Sequence, residues 1–347
     1  MLDDLKHIHQ RDSQDALGIA EKQYQQLTHE FAVDSLQSLV SSHIDNVVYA
    51  GMGGSALAAL LSQSWPGYSV PFEICRQYQI PKYVGPKTLF IAASYSGNTE
   101  EEVAALGEAE KAGAQIVVIA GGGKLAEAAE AKNHPYLKIP EVSQPRYAVF
   151  YMLKALVCVL EAAGLVSEAS ATKNLHQTAE FLKKEVSRWL PTVPTPHNPA
   201  KKLALGLAGK SPVIYAGPLL APAAYKWKID FNENSKNVAW WNQLPEFNHN
   251  EMIGWSSHPI QKPYGVVELR SNLEHPRVQK RFEVTERLLS GRRPSPYVVP
   301  VQGDTLLEQL LWAVIVGDFV SIYLALLNGV NPSPVDLVEK FKHALDE

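Results

Sequence analysis

A group of hydroxyl side chains directly follows a strongly apolar stretch of this sequence. Residues 88–93 form an apolar run of strand length, and residues 94–101 read Ser-Tyr-Ser-Gly-Asn-Thr-Glu-Glu. Apolar residues at 103–106 then recur with the spacing of a helix. The motif is therefore predicted to form a strand-to-helix turn, in which Gly97 lets the backbone bend.

The start of this helix is a predicted phosphate cradle. A helix N-terminus offers unpaired N–H groups and a partial positive charge, and the hydroxyls of Ser94, Ser96 and Thr99 add three donors. Thr99 or Asn98 is also suited to cap the helix, and the glutamates that follow suit its first turn. The alternative interpretation is an ordinary capped turn that is rich in serine and threonine.

A second loop indicates that these residues belong to a parallel sheet. Residues 46–50 are typical of a buried strand, Gly51-Met-Gly53-Gly54-Ser55 follows, and residues 56–61 are typical of a helix. Two such strand–loop–helix units place their loops at the same edge of a sheet, where open α/β folds bind ligands. Helical stretches separate the strand-like runs, which predicts a doubly wound sheet. The predicted strands are 46–50, 70–75, 88–93, 115–120 and 136–139.

The second half of the chain repeats this pattern in outline. Pro212-Val-Ile-Tyr-Ala-Gly217 echoes Val47-Val-Tyr-Ala-Gly51, which is a weak internal repeat. Further strands are predicted at 264–270 and 296–301. The loop after Gly217 reads Pro-Leu-Leu and has no hydroxyls, so we expect it not to bind phosphate as the first loop does.

Helical patterns occupy most of the remaining chain. They cover residues 1 to about 40, 147–163, 167–190, 310–327 and 334–345, and a proline-rich stretch at 191–199 is typical of a linker. These patterns predict an N-terminal domain at 1–150, a helical connector and linker at 151–196, and a C-terminal domain at 197–347.

Composition narrows the class of protein. The 347 residues are 46% hydrophobic and 20% charged, as in soluble globular proteins, and the net charge of −4 argues against a nucleic-acid partner. The apolar stretch 310–327 is long enough to span a membrane, but Asp318 would be costly there, so we expect a buried core or interface helix. Cys75 and Cys158 are predicted to be buried thiols. The expected compartment is the cytoplasm.

A polar and aromatic block at 228–251 has no clear amphipathic period. It contains Asn-Glu233-Asn-Ser-Lys and, further on, Leu-Pro-Glu-Phe-Asn-His249-Asn-Glu. Packing readily explains Trp240 and Trp241, but not the many asparagines around Glu233 and His249. The structural interpretation is a hydrated surface loop with aromatic anchors.

These motifs resemble those of a known enzyme family. The two loops of the first half resemble the sugar isomerase (SIS) domain of phosphosugar-binding proteins. The block at 228–251, together with Gly254-Trp255 and the Pro145-Arg146 pair, resembles the bacterial and archaeal bifunctional phosphoglucose/phosphomannose isomerases. The resemblance covers nearly the whole chain. It implies two SIS domains per chain, a homodimer, and an active site that lies between domains and is shared across the dimer.

The resemblance also implies roles for individual residues. Glu233 matches the catalytic base, His249 the ring-opening histidine and Arg146 the arginine after the first domain. The catalytic lysine of the last helix is Lys340 or Lys342, which the sequence does not distinguish. Ser333 lies near the position where the family often has a threonine that helps to admit mannose epimers, and a serine there keeps the hydroxyl but loses the methyl group. The implied phosphate-binding residues are Gly53, Gly54, Ser55, Ser94, Ser96 and Thr99.

The residue types suit this chemistry independently. Interconversion of an aldose and a ketose phosphate requires ring opening and a proton transfer between C2 and C1. A histidine exchanges protons near neutral pH, a single carboxylate reaches both carbons, and an arginine remains charged beside the enediolate that forms. Taken singly, each residue has a structural interpretation, such as a helix cap for Glu233 or a surface ion pair for Arg146. No cofactor is expected.

Two other functions fit parts of the sequence, and a third lacks the residues that it requires. Gly51-Met-Gly53-Gly-Ser-Ala56, with Glu73 about twenty residues further on, fits a dinucleotide-binding fingerprint. A phosphosugar-sensing regulatory protein would use the same cradle without turnover. A metal-assisted isomerase would need a ligand cluster, and the eleven histidines form no H-E-x-x-H motif.

Overall fold

The chain divides into two compact units. The first-sheet unit is Lys22–Phe181, and the second-sheet unit comprises Met1–Glu21 and Leu182–Glu347. The computed structural model describes residues 1–39, 44–166, 168, 170–256 and 263–345. These units differ from the predicted ranges because the first residues pack with the second sheet's unit. There, Lys201 Nζ lies 3.0 Å from Asp3 Oδ1, and Arg11 donates to the carbonyl of Gly329.

The first-sheet unit contains five parallel strands in the order β2-β1-β3-β4-β5. All five predicted strands are present. Every residue of the central strand β3 is buried, as expected for a parallel sheet that is covered on both faces. The order reverses between β1 and β3, and in doubly wound sheets the loops on either side of such a reversal are where ligands usually bind. The strands are β1 (Asn46–Ala50), β2 (Phe72–Cys75), β3 (Thr88–Ser94), β4 (Gln115–Ala120) and β5 (Tyr136–Lys138).

Helices connect these strands and cover the sheet. The polar start of the chain forms only short α-helices and 3₁₀ turns, at Gln23–Thr28 and Asp34–Ser38, rather than the continuous helical region predicted up to residue 40. Val40 and Ser167, where two predicted helical stretches end and begin, lie outside the described residues. The α-helices up to this point are α1 (Leu5–Arg11), α2 (Ala16–Lys22), α3 (Gly53–Ser62), α4 (Glu100–Lys111), α5 (Gly123–Lys132), α6 (Val149–Ala162) and α7 (Ala171–Val186).

The second sheet repeats the strand order of the first. Its order is β7-β6-β8-β9, so β6 occupies the place of β1 and β8 that of β3. The similar sequences at 212–217 and 47–51 thus form strands in equivalent positions of the two sheets. Strand β7 was not predicted, because it lies at the sheet edge and none of its residues is fully buried. The strands are β6 (Ser211–Ala216), β7 (Trp240–Gln243), β8 (Tyr264–Arg270) and β9 (Tyr297–Pro300).

A long apolar helix forms the core of the second-sheet unit. Helix α12 begins with a capping box between Thr305 and Glu308. Within the described ranges it is the one helix long and apolar enough to cross a membrane, and 94% of its apolar window is buried in the protein. The predicted core helix is therefore confirmed. The helices of this part are α8 (Pro199–Leu207), α9 (Ala221–Glu233), α10 (Glu251–Gly254), α11 (Pro276–Leu288), α12 (Leu306–Leu327) and α13 (Asp336–Leu345).

A buried ion cluster joins α9 to α12. Lys226 Nζ lies 2.7 Å from Asp230 Oδ1 and 2.6 Å from Asp318 Oδ1, and all three side chains are fully buried. Burial opposes the lysine charge, but the two carboxylates outweigh it and raise the pKa of Lys226. Asp318 is thus explained by an internal partner. The two predicted buried thiols, Cys75 and Cys158, are buried and free.

Candidate functional site

The predicted cradle forms at the carboxyl edge of the first sheet. Ser94 is the last residue of β3, and its Oγ lies 2.8 Å from Thr99 Oγ1 and 3.4 Å from Ser96 Oγ. The amide of Gly97 donates to Ser94 Oγ at 3.1 Å, and that of Asn98 donates to Ser96 Oγ at 3.2 Å. The three predicted hydroxyls therefore converge at the start of α4.

Thr99 occupies the N-cap position of α4 without capping it. Within the described part of the chain its side chain makes no capping bond to the helix backbone and contacts Ser94 instead. The acidic first turn is as predicted, with Glu100, Glu101 and Glu102. The Thr99 side chain therefore does not take up the amides of this turn, and a helix N-terminus with uncapped amides is suited to bind an anion.

Glu102 is a buried carboxyl beneath the cradle that the sequence analysis did not single out. It is 2% exposed, and burial raises its pKa to about 7 although Thr99 hydrogen bonds to it. Among the described residues, its Oε2 has no hydrogen-bond partner. In sequence it is one of three successive glutamates, so no local signal distinguishes it from its two neighbours.

Position 97 requires glycine for two reasons, its backbone conformation and the close approach of a neighbouring loop. Its φ is +70°, a left-handed conformation that favours glycine, and a Cβ there would meet the carbonyl oxygen of Gly122 at 1.7 Å. The loop after β4 thus packs directly on the cradle, and the amide of Leu125 donates to the carbonyl of Gly97 at 3.0 Å. A cavity of about 670 Å³ borders Ser96 and is also lined by Tyr95 and Lys138.

The glycine-rich loop after β1 adjoins the same residues. Ser55, in the first turn of α3, is buried, and its Oγ accepts from the amide of Tyr95 at 2.9 Å. Gly53 has φ +50° and opens that helix, as a tight strand-to-helix turn requires. The structure therefore brings Ser55 to the hydroxyl cradle of β3, as expected for loops at one sheet edge.

Arg146 also lies against this loop. A Cβ at Gly54 would come within 3.1 Å of the Arg146 backbone nitrogen, so glycine allows the segment to pack there. The Arg146 side chain is buried, stacks over the Tyr147 ring at 4.7 Å, and has Nη1 3.5 Å from Gln144 Oε1. The buried side chain differs from the exposed residue of the structural interpretation, and the backbone of Arg146 packs on the glycine loop.

The second sheet has a carboxylate at the equivalent edge. Glu274, from the loop after β8, accepts from the amide of Leu219 at 2.8 Å and also from the amide of Leu220. It is 4% exposed, and a Cβ at Gly217 would meet its Oε1 at 2.2 Å. Burial raises the pKa of Glu274 despite these bonds. An internal carboxylate thus occupies the amides at the start of α9.

Glu233 is the last residue of α9. The polar block from Lys228 to Glu233 is helical, and Asp230, Asn234 and Ser235 are buried, so the hydrated surface loop of the structural interpretation is wrong for this part. Asn234 Nδ2 donates to Ser321 Oγ at 2.8 Å and thereby holds the end of α9 to α12. Sequence periodicity did not predict this helix, because its buried polar residues interrupt the apolar pattern.

His249 is exposed and ends a 3₁₀ turn, Glu246–His249, that follows β7. Its neighbour Asn248 is anchored, with Nδ2 2.9 Å from Thr285 Oγ1 and Oδ1 3.3 Å from Arg281 Nη1. Anchoring by neighbours fixes the position of the turn while the imidazole remains accessible to solvent.

Glu233 lies toward the amino ends of the strands of the second sheet, and His249 lies toward their carboxyl ends. Helix α9 starts at the carboxyl end of β6 and runs back for 13 residues, a length of about 20 Å. Beyond it, Asn237 Nδ2 donates to the carbonyl of Lys210, just before β6 begins. His249 instead follows the carboxyl end of β7. One chain therefore does not bring these two predicted residues together within this unit.

The remaining predicted residues lie near the C-terminus. Ser333 is buried, and its amide donates to Asn331 Oδ1 at 3.0 Å. Lys340 and Lys342 are both exposed on α13, and Lys342 Nζ lies 2.8 Å from Glu339 Oε1. The structure gives no reason to prefer either lysine.

Comparison with known proteins identifies the family. Residues 196–345 match the family model for the bacterial phospho-glucose isomerase C-terminal SIS domain. The bifunctional phosphoglucose/phosphomannose isomerase of Caldicellulosiruptor bescii is 34% identical over 326 residues, which cover 93% of this chain and 96% of that protein. The chain belongs to the bifunctional phosphoglucose/phosphomannose isomerase family. The enzyme of that name from Aquifex aeolicus is 32% identical over 86% of this chain and 90% of its own length.

The fold of this phosphoglucose/phosphomannose isomerase family member also has a solved counterpart. A glucose-6-phosphate isomerase like protein from Thermus thermophilus superposes with a TM-score of 0.64, over 97% of this chain and 99% of that chain, at 22% identity. Family and fold both confirm the resemblance predicted from the sequence motifs. The roles of individual residues stay predictions.

Proposed function

We propose that this chain interconverts glucose 6-phosphate, and also mannose 6-phosphate, with fructose 6-phosphate. The observation that carries the proposal is the convergence of Ser94, Ser96 and Thr99 on the start of α4, with Ser55 beside them. Hydroxyls and helix amides suit a dianionic phosphate, and membership of the family supports a sugar as the rest of the substrate.

Each step of the reaction has a candidate group. His249 exchanges the protons that open the sugar ring, with Lys340 or Lys342 assisting, because an imidazole has one nitrogen that accepts a proton and one that donates a proton. Glu233 moves a proton between C2 and C1 through a cis-enediolate. The guanidinium of Arg146 stabilises the negative charge of that intermediate. Gly53 and Gly54 let the loop backbone approach the phosphate.

A homodimer is part of the proposal. Glu233 and His249 of one chain lie toward opposite ends of the strands of the second sheet, so a single sugar that uses both side chains takes them from two chains. A buried Ser333 keeps a hydroxyl where mannose epimers are admitted. We place the enzyme in the cytoplasm, acting on phosphosugars in glycolysis and gluconeogenesis.

A phosphosugar-sensing regulatory protein is the competing function. The same cradle would serve a sensor, and such a protein would bind fructose 6-phosphate without converting it. The dinucleotide alternative is weaker, since the order β2-β1-β3-β4-β5 is not the 3-2-1-4-5-6 order of dinucleotide-binding sheets.

The test is turnover of fructose 6-phosphate in the presence of a chelator. Purified protein should form glucose 6-phosphate and mannose 6-phosphate, and solvent deuterium should enter at C2. Glu233→Gln keeps the shape of the side chain but cannot accept the proton, so turnover should fall about a hundredfold or more while binding is retained. Binding of fructose 6-phosphate without any product would favour the sensor.

A further inference from the structure

The chain reverses direction immediately after Glu233. Lys236 adopts φ +57°, a left-handed conformation that is uncommon for a residue with a side chain. Such a conformation persists only where surrounding contacts hold it, and it occurs preferentially at functional sites. The contacts that hold Lys236 therefore indicate a role beyond that of a surface lysine.

The ammonium of Lys236 bridges two segments that are distant in sequence. Its Nζ donates to the carbonyls of Glu233 at 2.8 Å and Asn234 at 3.2 Å, at the end of α9. It also donates to the carbonyls of Asn331 at 2.7 Å and Pro332 at 3.2 Å. Three N–H groups are thus shared among four carbonyls, two from each segment.

A second side chain joins the same two segments. Asn328 Nδ2 donates to the carbonyl of Ser235 at 3.0 Å and to Asn237 Oδ1 at 2.6 Å. The segment from Glu233 to Asn237 is therefore fastened to the segment from Asn328 to Ser333 at both of its ends. We call this pair of segments the base clamp.

We propose that Lys236 is a positioning residue, which fixes the backbone of Glu233 against the segment that carries Ser333. The inference rests on the proposed function, in which Glu233 moves the proton at C2 and Ser333 lies where the two epimers are distinguished. Because both residues act on the same carbon of the sugar, their separation sets how well each epimer is presented to the base. A lysine held by carbonyls from both segments fixes that separation.

The chemistry of the contact explains why a cation is used. The last carbonyls of a helix carry partial negative charge and lack partners within the helix. An ammonium satisfies several of them at once, whereas a neutral amide side chain brings only two N–H groups. Arginine keeps the charge and multiple donors, so Lys236→Arg is the conservative variant and Lys236→Met removes both while retaining an unbranched stem.

The chain offers a matched control. Lys210 Nζ donates to the carbonyl of Gly206 at 2.7 Å and contacts the hydroxyl of Tyr297 at 3.0 Å, so it is also a lysine that ties a helix end. Its side-chain contacts involve neither segment of the base clamp. Lys210→Met therefore removes a comparable contact from the same unit and tests for a merely structural effect.

The experiment measures kcat, KM and product ratio with fructose 6-phosphate as substrate. Lys236→Met should lower kcat about tenfold or more, because small displacements of a catalytic group are costly. It should change the ratio of glucose 6-phosphate to mannose 6-phosphate about threefold and leave KM nearly unchanged. Lys236→Arg should recover most of kcat. Lys210→Met should alter neither kcat nor the product ratio. Asn328→Ala, which severs the second link, should shift the ratio in the same direction.

Several results would overturn this inference while leaving the proposed function intact. They are an unchanged kcat and ratio in Lys236→Met, or equal losses in Lys236→Met and Lys210→Met. If Lys236→Met does not fold, an unchanged ratio in Asn328→Ala has the same meaning. A wild-type protein that forms neither aldose phosphate would instead contradict the proposed function itself.

Discussion

The hydroxyl of Ser94, at the end of β3, lies 2.8 Å from the hydroxyl of Thr99, at the start of α4. This contact closes the loop between them and takes the Thr99 side chain away from capping. Thr99 consequently takes up none of the helix amides as a capping side chain. A loop built in this way is organised before any anion arrives, so little ordering is needed on binding.

Removal of the cradle hydroxyls should weaken phosphosugar binding. Ser96→Ala and Thr99→Val each delete a donor to a charged oxygen, which is worth on the order of 1.5–3 kcal/mol. The dissociation constant for fructose 6-phosphate, measured by calorimetry, should rise about tenfold or more. Ser187→Ala, which removes a hydroxyl that donates to the carbonyl of Lys184, is the control. Unchanged affinity in both cradle variants would refute the phosphate assignment.

Glu102 should make stability depend on pH between about 4.5 and 7. Burial raises its pKa from 4.5 to about 7 in the folded protein, so the folded state holds this proton more tightly than the unfolded chain. The stabilisation that comes from the protonated Glu102 carboxyl is complete below pH 4.5 and is lost as pH rises through 7. The free energy of unfolding changes by an amount on the order of 3 kcal/mol. Glu102→Gln stays neutral at every pH. The free energy of unfolding of this variant, relative to that of the wild type, should therefore increase as pH rises.

The measurement is denaturant unfolding of wild type and Glu102→Gln between about pH 5 and 8, the range over which the raised pKa acts. The difference between their free energies of unfolding isolates Glu102 from the other carboxyl groups. A difference that does not vary with pH would mean that Glu102 titrates normally.

Glu274 should stabilise the second-sheet unit as a buried hydrogen-bond acceptor. Glu274→Ala leaves the amides of Leu219 and Leu220 without their acceptor, which should lower the free energy of unfolding by about 1–3 kcal/mol. Glu274→Gln keeps an acceptor oxygen and should lose less. Glu283→Ala, on the exposed face of α11, is the control and should have little effect. Equal stabilities of Glu274→Ala and the wild type would show that the contact contributes nothing.

Sequence periodicity was sufficient to predict the strands of the first sheet but did not predict every strand and helix of the second-sheet unit. Strands such as β3 are buried on both faces, so they appear as continuous apolar runs between turn residues. Strand β7 has two tryptophans followed by Asn242 and Gln243 and is only partly buried. The end of α9 buries Asp230 and Asn234. Lys226 lies one helical turn before Asp230, but the second carboxylate of that cluster, Asp318, and the partner of Asn234, Ser321, come from α12 and are not revealed by local spacing.

The candidate site divides in the same way. The cradle was predictable because its residues are contiguous and their chemistry is shared. Glu102 and Glu274 were not, because burial is what changes the properties of a carboxyl group, and a local pattern of polar residues does not reveal burial. The Lys236 bridge joins residues about a hundred positions apart, so no sequence window contains it.

His249→Ala provides the sharpest test of mechanism. Sugar rings are closed for nearly all of their time in solution, so the enzyme must open them. If His249 opens the ring, the variant should lose turnover of cyclic glucose 6-phosphate by about a hundredfold, while a substrate presented in the open form should be affected much less. A purely structural histidine would lower the melting temperature and slow both substrates alike.

Mixed dimers test whether Glu233 and His249 act from different chains. Since α9, which is about 20 Å long, brings Glu233 to the end of the strands opposite from His249, a site that uses both takes one from each. A dimer of one Glu233→Gln chain and one His249→Ala chain then contains one site with both native groups. Co-expression with two affinity tags isolates this dimer, and up to about half of the wild-type activity should return, compared with the two inactive parent dimers. No recovery in a verified mixed dimer would place both groups in one chain and refute the shared site.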